Sequence, residues 1–234
     1  MELRDRPKPS AAAAKVPWEA VRDSLRYRAD RKFPPDHLQA TAFRFVSTNV
    51  PIDSQYAAYA REAFLPGRPL VEAADALMRM IHRDFKFDAS ATETFTPVEQ
   101  AFKARRGVCQ DFSHIMIACL RSVGLAARYM SGYILTHPPE GKERLVGADA
   151  THAWVAVFVP DFGWLELDPT NALRADREHI TLGWGRDFSD ITPMRGVLLG
   201  GGDHEPEIAV TVVPEEEFAS LYADGETYLE ELSP

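Results

Sequence analysis

The chain has 234 residues, 45% hydrophobic and 26% charged, with 26 Lys and Arg against 35 Asp and Glu and a net charge of −9. Such proportions belong to a folded globular protein long enough to bury a core without staples. The acidic balance excludes the basic footprint that nucleic acid or an anionic lipid surface needs.

Residues 1–17, with Pro7, Pro9, scattered charges and the run Ala11 to Ala14, read as a disordered tail rather than a signal peptide. No apolar run approaches the roughly 18 residues of a membrane span. A cytoplasmic location without a membrane partner is therefore expected, and the two cysteines, Cys109 and Cys119, are read as thiols. Pro51 and Asp53 precede a predicted helix over 54–64, which ends at Leu65-Pro66-Gly67. Leu70, Val71, Ala74, Leu77, Met78, Ile81 and Phe85 recur at three- and four-residue spacing and predict an amphipathic helix. Thr96-Pro97-Val98-Glu99 has the form of a capping box that opens a short helix stopping at Gly107. A further helix starts at Cys109 and is closed by Gly124.

Beyond Gly124 the pattern turns to strands at 127–135, 152–159 and 164–168, the last two joined by a Pro160-Asp161-Phe162-Gly163 turn. Residues 137–147 form a polar loop, and Ile208–Val213 is expected to be a closing strand. The predicted fold class is α+β, with helices packed on an antiparallel β-sheet. One domain is expected over 18–214, followed by an acidic tail over 215–234.

Ten helical residues put Cys109 and Cys119 about 15 Å apart along the axis, beyond the ~7 Å reach of a disulfide. Cys119 shares a packing face with Ile115, Ala118 and Ser122 and reads as a buried structural thiol. Cys109 falls in the first helical turn, where unpaired backbone N–H groups and the helix dipole favour a thiolate and can hold an oxyanion. His152 opens one predicted strand and Asp168 closes the next. A thiol, a base and a group that orients the base are the three parts of nucleophilic catalysis. A hairpin centred between Asp161 and Phe162 sets Asp168 opposite Val155, about 10 Å from His152 along the strand, so a bulge or bend is expected there.

Four blocks in order resemble the bacterial branch of the transglutaminase-like superfamily. They are Arg106-Gly107-Val108-Cys109-Gln110-Asp111-Phe112-Ser113-His114, Ala127-Arg128-Tyr129-Met130-Ser131-Gly132-Tyr133, Asp149-Ala150-Thr151-His152-Ala153-Trp154 and Gly163-Trp164-Leu165-Glu166-Leu167-Asp168-Pro169-Thr170-Asn171. The resemblance implies a papain-like transglutaminase core with Cys109 as nucleophile, His152 as base and Asp168 as orienting acid. It also implies that Gly185-Arg186-Asp187-Phe188 forms a loop near the site, and that the β-rich N-terminal region of the bacterial relatives is absent or truncated. Gln110, Asp111, Trp154 and Arg186 are lesser candidates for substrate binding or the oxyanion. Phe85 and Phe87 have no polar donor to offer. Asp111 and His114 lack a third metal ligand of suitable spacing, residues 149–152 lack the oxygen ligands of a calcium loop, and Gly200-Gly201-Gly202 opens no helix. No metal or cofactor is therefore expected.

The expected function is amide or peptide hydrolysis through a thioester. The alternatives are protein-glutamine transglutaminase activity and a non-catalytic protein-binding module. A peptide or protein is the expected substrate, and the sequence leaves the oligomeric state open.

Overall fold

Residues 5–30, 32–135, 151–192 and 210–214 are described by the computed structural model. Six helices lie among them: α1 (Trp18–Ser24), α2 (Pro35–Thr41), α3 (Ser54–Ala60), α4 (Leu70–Asp84), α5 (Val98–Ala104) and α6 (Cys109–Ser122). α4 follows its apolar spacing, burying Leu70, Val71, Ala74, Leu77, Met78 and Ile81 along one face. Asp53 caps α3 by accepting from the Gln55 N–H at 2.8 Å.

The capping box expected at α5 does not form. The helix starts at Val98 without a side-chain cap, Thr96 Oγ1 instead accepts from the Glu93 N–H, and Glu99 pairs with Lys103 one turn on.

α6 is buried from Asp111 to Arg121 and forms the centre of the core. α3, α4, α5 and the sheet surround it, so apolar residues occur on all its faces. Its end is a Schellman motif: the Leu125 N–H bonds the Leu120 carbonyl and the Gly124 N–H bonds that of Arg121, with Gly124 at φ +89°.

Two short strands, β1 (Lys86–Phe87) and β2 (Arg106–Gly107), pair in parallel just before α6. The main sheet comprises β3 (Ala127–Ile134), β4 (Thr151–Val159), β5 (Gly163–Asp168), β6 (Leu173–Arg174) and β7 (His179–Gly185). It is antiparallel, in the order β6-β5-β4-β3-β7. Central β4 is covered on both faces. Ala153, Val155, Val157 and Val159 join the core built around α6, and Trp154, Ala156 and Phe158 pack on the opposite side. The α+β class, helices on an antiparallel sheet, is therefore observed.

The β4–β5 register differs from the expected one. The Phe162 N–H bonds the Val159 carbonyl across Pro160 and Asp161, and Asp161 takes φ +60°, the left-handed position of a type II turn. Val159 then pairs with Gly163 and Val155 with Leu167 in a regular ladder. One step further along that ladder, Asp168 comes level with Trp154 rather than Val155. It lies on His152's face at a diagonal offset that side chains can span, without the expected bulge.

Residues 5–17, expected to be a disordered tail, instead lie along the protein. Ala13 is buried, Ala13–Lys15 form a 3-10 turn and Arg6 is bonded to the sheet. Their order comes from these tertiary contacts, which composition does not register. The loop over 137–147, the glycines at 200–202, residues 208–209 of the closing strand and the tail over 215–234 lie outside the described residues, and Val210 takes part in a single β-bridge.

Candidate active site

Cys109 is the first residue of α6 and is half-buried. Val108 precedes it in extended conformation with no side-chain acceptor, so the capping function passes to Asp111, whose Oδ2 accepts the Val108 N–H at 2.8 Å and the Thr92 hydroxyl at 2.6 Å. Gly107 makes this turn possible, since a Cβ there would lie 2.5 Å from Asp111 Oδ2. The first-turn N–H groups of α6 have no partner within the helix, and the helix dipole adds partial positive charge at the thiol.

His152 is the second residue of β4, opposite Gly132, and is largely buried. Its Nε2 lies 2.8 Å from Asp168 Oδ2. Cys109 acts on the same ring from nearby, raising its pKa together with Asp168. Burial pulls the His152 pKa down, but the Asp168 hydrogen bond and charge, with the neighbouring Cys109, outweigh it and leave the pKa at about 9.

Asp168 is fully buried. Burial would raise its pKa, yet the donors around it hold it well below the usual carboxylate range. Oδ1 accepts the Thr170 and Asn171 N–H groups at 2.8 and 3.2 Å. Oδ2 accepts Asn171 Nδ2 at 2.7 Å and lies 3.3 Å from His179 Nε2, in addition to His152.

His152, Asp168 and His179 form a compact set of three groups of metal-ligand type among the described residues. The hydrogen-bond accounting favours protons over a metal. Both oxygens of Asp168 are already taken by N–H donors, and 2.8 Å between Nε2 and Oδ2 is a hydrogen-bond length, shorter than two ligands keep around one ion.

Residues 57–169 match the family model of the transglutaminase-like superfamily. That stretch is similar to a transglutaminase-like domain. It is 42% identical over 210 residues to an uncharacterized protein of Mycobacterium tuberculosis, an alignment covering 88% of this chain and 64% of that one, so the chain spans less than two thirds of that relative's length. It is 32% identical over 113 residues to a protein-glutamine gamma-glutamyltransferase of Pseudomonas aeruginosa, covering 47% of this chain and 17% of that one. Among solved structures, a candidate cysteine protease from Cytophaga hutchinsonii shares the fold at a TM-score of 0.56 and 21% identity, over 73% of this chain and 54% of that one.

Other partners hold the four lesser candidates. Gln110 Nε2 donates to the Thr94 carbonyl at 2.8 Å. Asp111 is a buried acceptor with its pKa raised by desolvation, and it donates nothing to an oxyanion while ionised. Trp154 is fully buried, its indole N–H bonded to Glu166 Oε2 at 2.7 Å. Arg186 is exposed and forks onto both oxygens of Asp190. Each of them already has a partner within the protein, whereas the first-turn N–H groups of α6 have none within the helix.

Asp111 and His114 also do not converge on a metal. His114 is buried with its pKa lowered to about 4 by desolvation, and its Nε2 accepts the Phe188 N–H at 3.2 Å. Cys119 is fully buried, with its thiol pushed well up by burial, and both cysteines are free.

Sequence reasoning missed Asn171 and His179 as partners of Asp168, and Tyr129 as a neutral phenol within electrostatic range of Cys109. Asp168-Pro169-Thr170-Asn171 does contain a legible signal, since an aspartate accepting the N–H two residues on is an Asx turn. Nothing local marks His179.

Proposed function

We propose that this protein is a thiol-dependent amide or peptide hydrolase. The observation that carries this reading is one histidine ring bonded to a buried carboxylate, with a cysteine at a helix N-terminus close enough to raise the ring's pKa. The His152 imidazolium pairs with the thiolate form of Cys109. The thiolate attacks the substrate carbonyl and the α6 N–H groups receive the oxyanion. His152 then protonates the leaving amine, leaving a thioester on Cys109. Neutral His152 next takes a proton from water, hydroxide displaces the thiolate, and acid and thiol site are regenerated.

The relative named as a gamma-glutamyltransferase favours a second reading, in which an amine takes the acyl group instead of water. Incubating a glutamine-containing peptide with a labelled amine separates the two. Hydrolysis predicts ammonia release that exceeds label incorporation; incorporation outpacing hydrolysis makes the protein a transferase.

The His152–Asp168 pair sets a pH prediction. A histidine whose folded pKa stands above its unfolded value contributes stability in full below about 6.5, and this is lost as pH rises through about 9. Cleavage that needs the imidazolium falls over the same upper range. Asp168→Asn keeps an acceptor for His152 but removes the charge, so the alkaline limb of kcat/KM is expected to move down from about 9 toward the ordinary histidine value. An unmoved limb assigns that pKa to another group.

A further inference from the structure

The segment 5–10 reaches the sheet through one side chain. Arg6 Nη1 donates to Glu166 Oε1 at 2.5 Å, Nε to the Asp176 carbonyl at 3.1 Å, and Nη2 to the His179 carbonyl at 2.7 Å and Thr181 Oγ1 at 3.0 Å. The four acceptors come from β5, β7 and the loop between β6 and β7. Their fan matches the planar fork of a guanidinium and exceeds what the compact ammonium of lysine satisfies at once.

The rest of the segment is loosely attached. Pro7 and Pro9 have no N–H to add to a strand edge. Between residues 5–9 and Trp164, Leu165, Arg174 and Ala175 lies a cavity of about 370 Å³ rather than close packing. The guanidinium thus anchors the segment.

Its seat adjoins the His152–Asp168 pair. Glu166 gives Oε1 to Arg6 and Oε2 to the Trp154 indole. Trp154 stacks beside His152, ring centres 6.0 Å apart and planes 25° apart, and meets His179 edge-on at 5.3 Å. Arg6 also holds the backbone of His179, whose ring faces Asp168. One guanidinium therefore reaches His179 directly and Trp154 through Glu166.

We propose that Glu166, Thr181 and the carbonyls of Asp176 and His179 form an arginine-recognition site, filled in cis by Arg6, whose occupancy holds the His152–Asp168 geometry through Glu166 and Trp154. Emptying the site removes the only guanidinium hydrogen-bonded to this largely buried carboxylate among the described residues, leaving it the more distant charge of Arg128, and Glu166 then loosens its hold on the indole. The ligand class is a guanidinium on a short extended peptide. The recognition half of the proposal stands alone, and the coupling half rests on the hydrolase reading.

The test uses full-length Arg6→Ala and a synthetic peptide of residues 5–12. By calorimetry the peptide is expected to bind Arg6→Ala saturably, but neither the wild type, whose seat is filled, nor Arg6→Ala/Glu166→Gln. The indole N–H resonance of Trp154 is expected to shift in Arg6→Ala and return with peptide. Iodoacetamide alkylation of Cys109 at pH 7 is expected to slow about tenfold in Arg6→Ala, the scale of one lost charge-assisted hydrogen bond, and to recover with peptide. Arg6→Lys keeps the charge and guards against misfolding; its rate is expected between the two.

Absence of peptide binding to Arg6→Ala, or equal binding of a peptide with lysine at position 6, overturns the recognition site. Binding without any change in alkylation overturns the coupling. Ordinary thiol reactivity of Cys109 in the wild type counts against the hydrolase reading instead, while the calorimetry still decides the site.

Discussion

Cys109→Ala is expected to abolish amide cleavage and amine incorporation alike, by on the order of 10⁴-fold or more, because both begin with the same thioester. Cys119→Ala is the matched control. That thiol is fully buried, its pKa is pushed far up by burial, and it packs in the core with Ile115 and Ala118. Its loss is expected to cost about 1 kcal/mol of stability through a small cavity while the folded protein keeps its activity. Iodoacetamide supplies a second readout. On the proposed hydrolase reading Cys109 pairs with an imidazolium at a helix N-terminus, so its alkylation is expected to stay fast below pH 7, where an ordinary thiol near pKa 8.5 slows about tenfold per pH unit. Equal loss of activity in both variants makes both thiols structural. Reaction at Cys119 in the native protein contradicts its burial.

The contrast between the two cysteines was legible because it depends on local features: a helix start signalled by Gly107 and an apolar period containing Cys119. The same holds for α4 and for β3, β4 and β5, whose periodicities match their environments. The β4–β5 register was not legible to a single residue. It depends on Asp161 taking a positive φ, which Pro160-Asp161 permits but does not dictate, and one residue decides whether Asp168 lies on His152's face. β7 escaped notice because its pattern is weak: it contains two glycines, and Leu182 and Trp184 point out to solvent. At Gly183 a Cβ would meet the end of the Ile191 side chain, a contact from outside the strand that local spacing does not show. His179 and Arg6 have the same character, since their partners lie 11 and 160 or more residues away. Thr96 shows the converse: a well-formed local signal gave way to a turn with Glu93.

Arg121→Met is expected to be the most destabilising of the proposed substitutions. Arg121 sits in the last turn of α6 with 2% of its surface exposed. It donates to the carbonyls of Phe43, Phe45, Ala127 and Arg186 and to the Ser47 hydroxyl, tying the segment after α2, the start of β3 and the loop after β7 to the central helix. Desolvation lowers its pKa to about 10, which still leaves it charged at neutral pH. Methionine matches much of the volume but leaves these acceptors without a donor. With each buried orphan worth about 1–3 kcal/mol, a loss of about 4 kcal/mol or more follows, a large part of the 5–15 kcal/mol typical of a domain. Urea unfolding is expected to show a lower midpoint at an unchanged slope. Lysine at this position supplies one compact ammonium in place of the fork, so Arg121→Lys is expected to fall between. Arg121 lies about 18 Å along α6 from Cys109, so protein that remains folded is expected to alkylate at the wild-type rate. A slowed rate in the folded fraction instead means that the far end of α6 helps to set the geometry of the thiol.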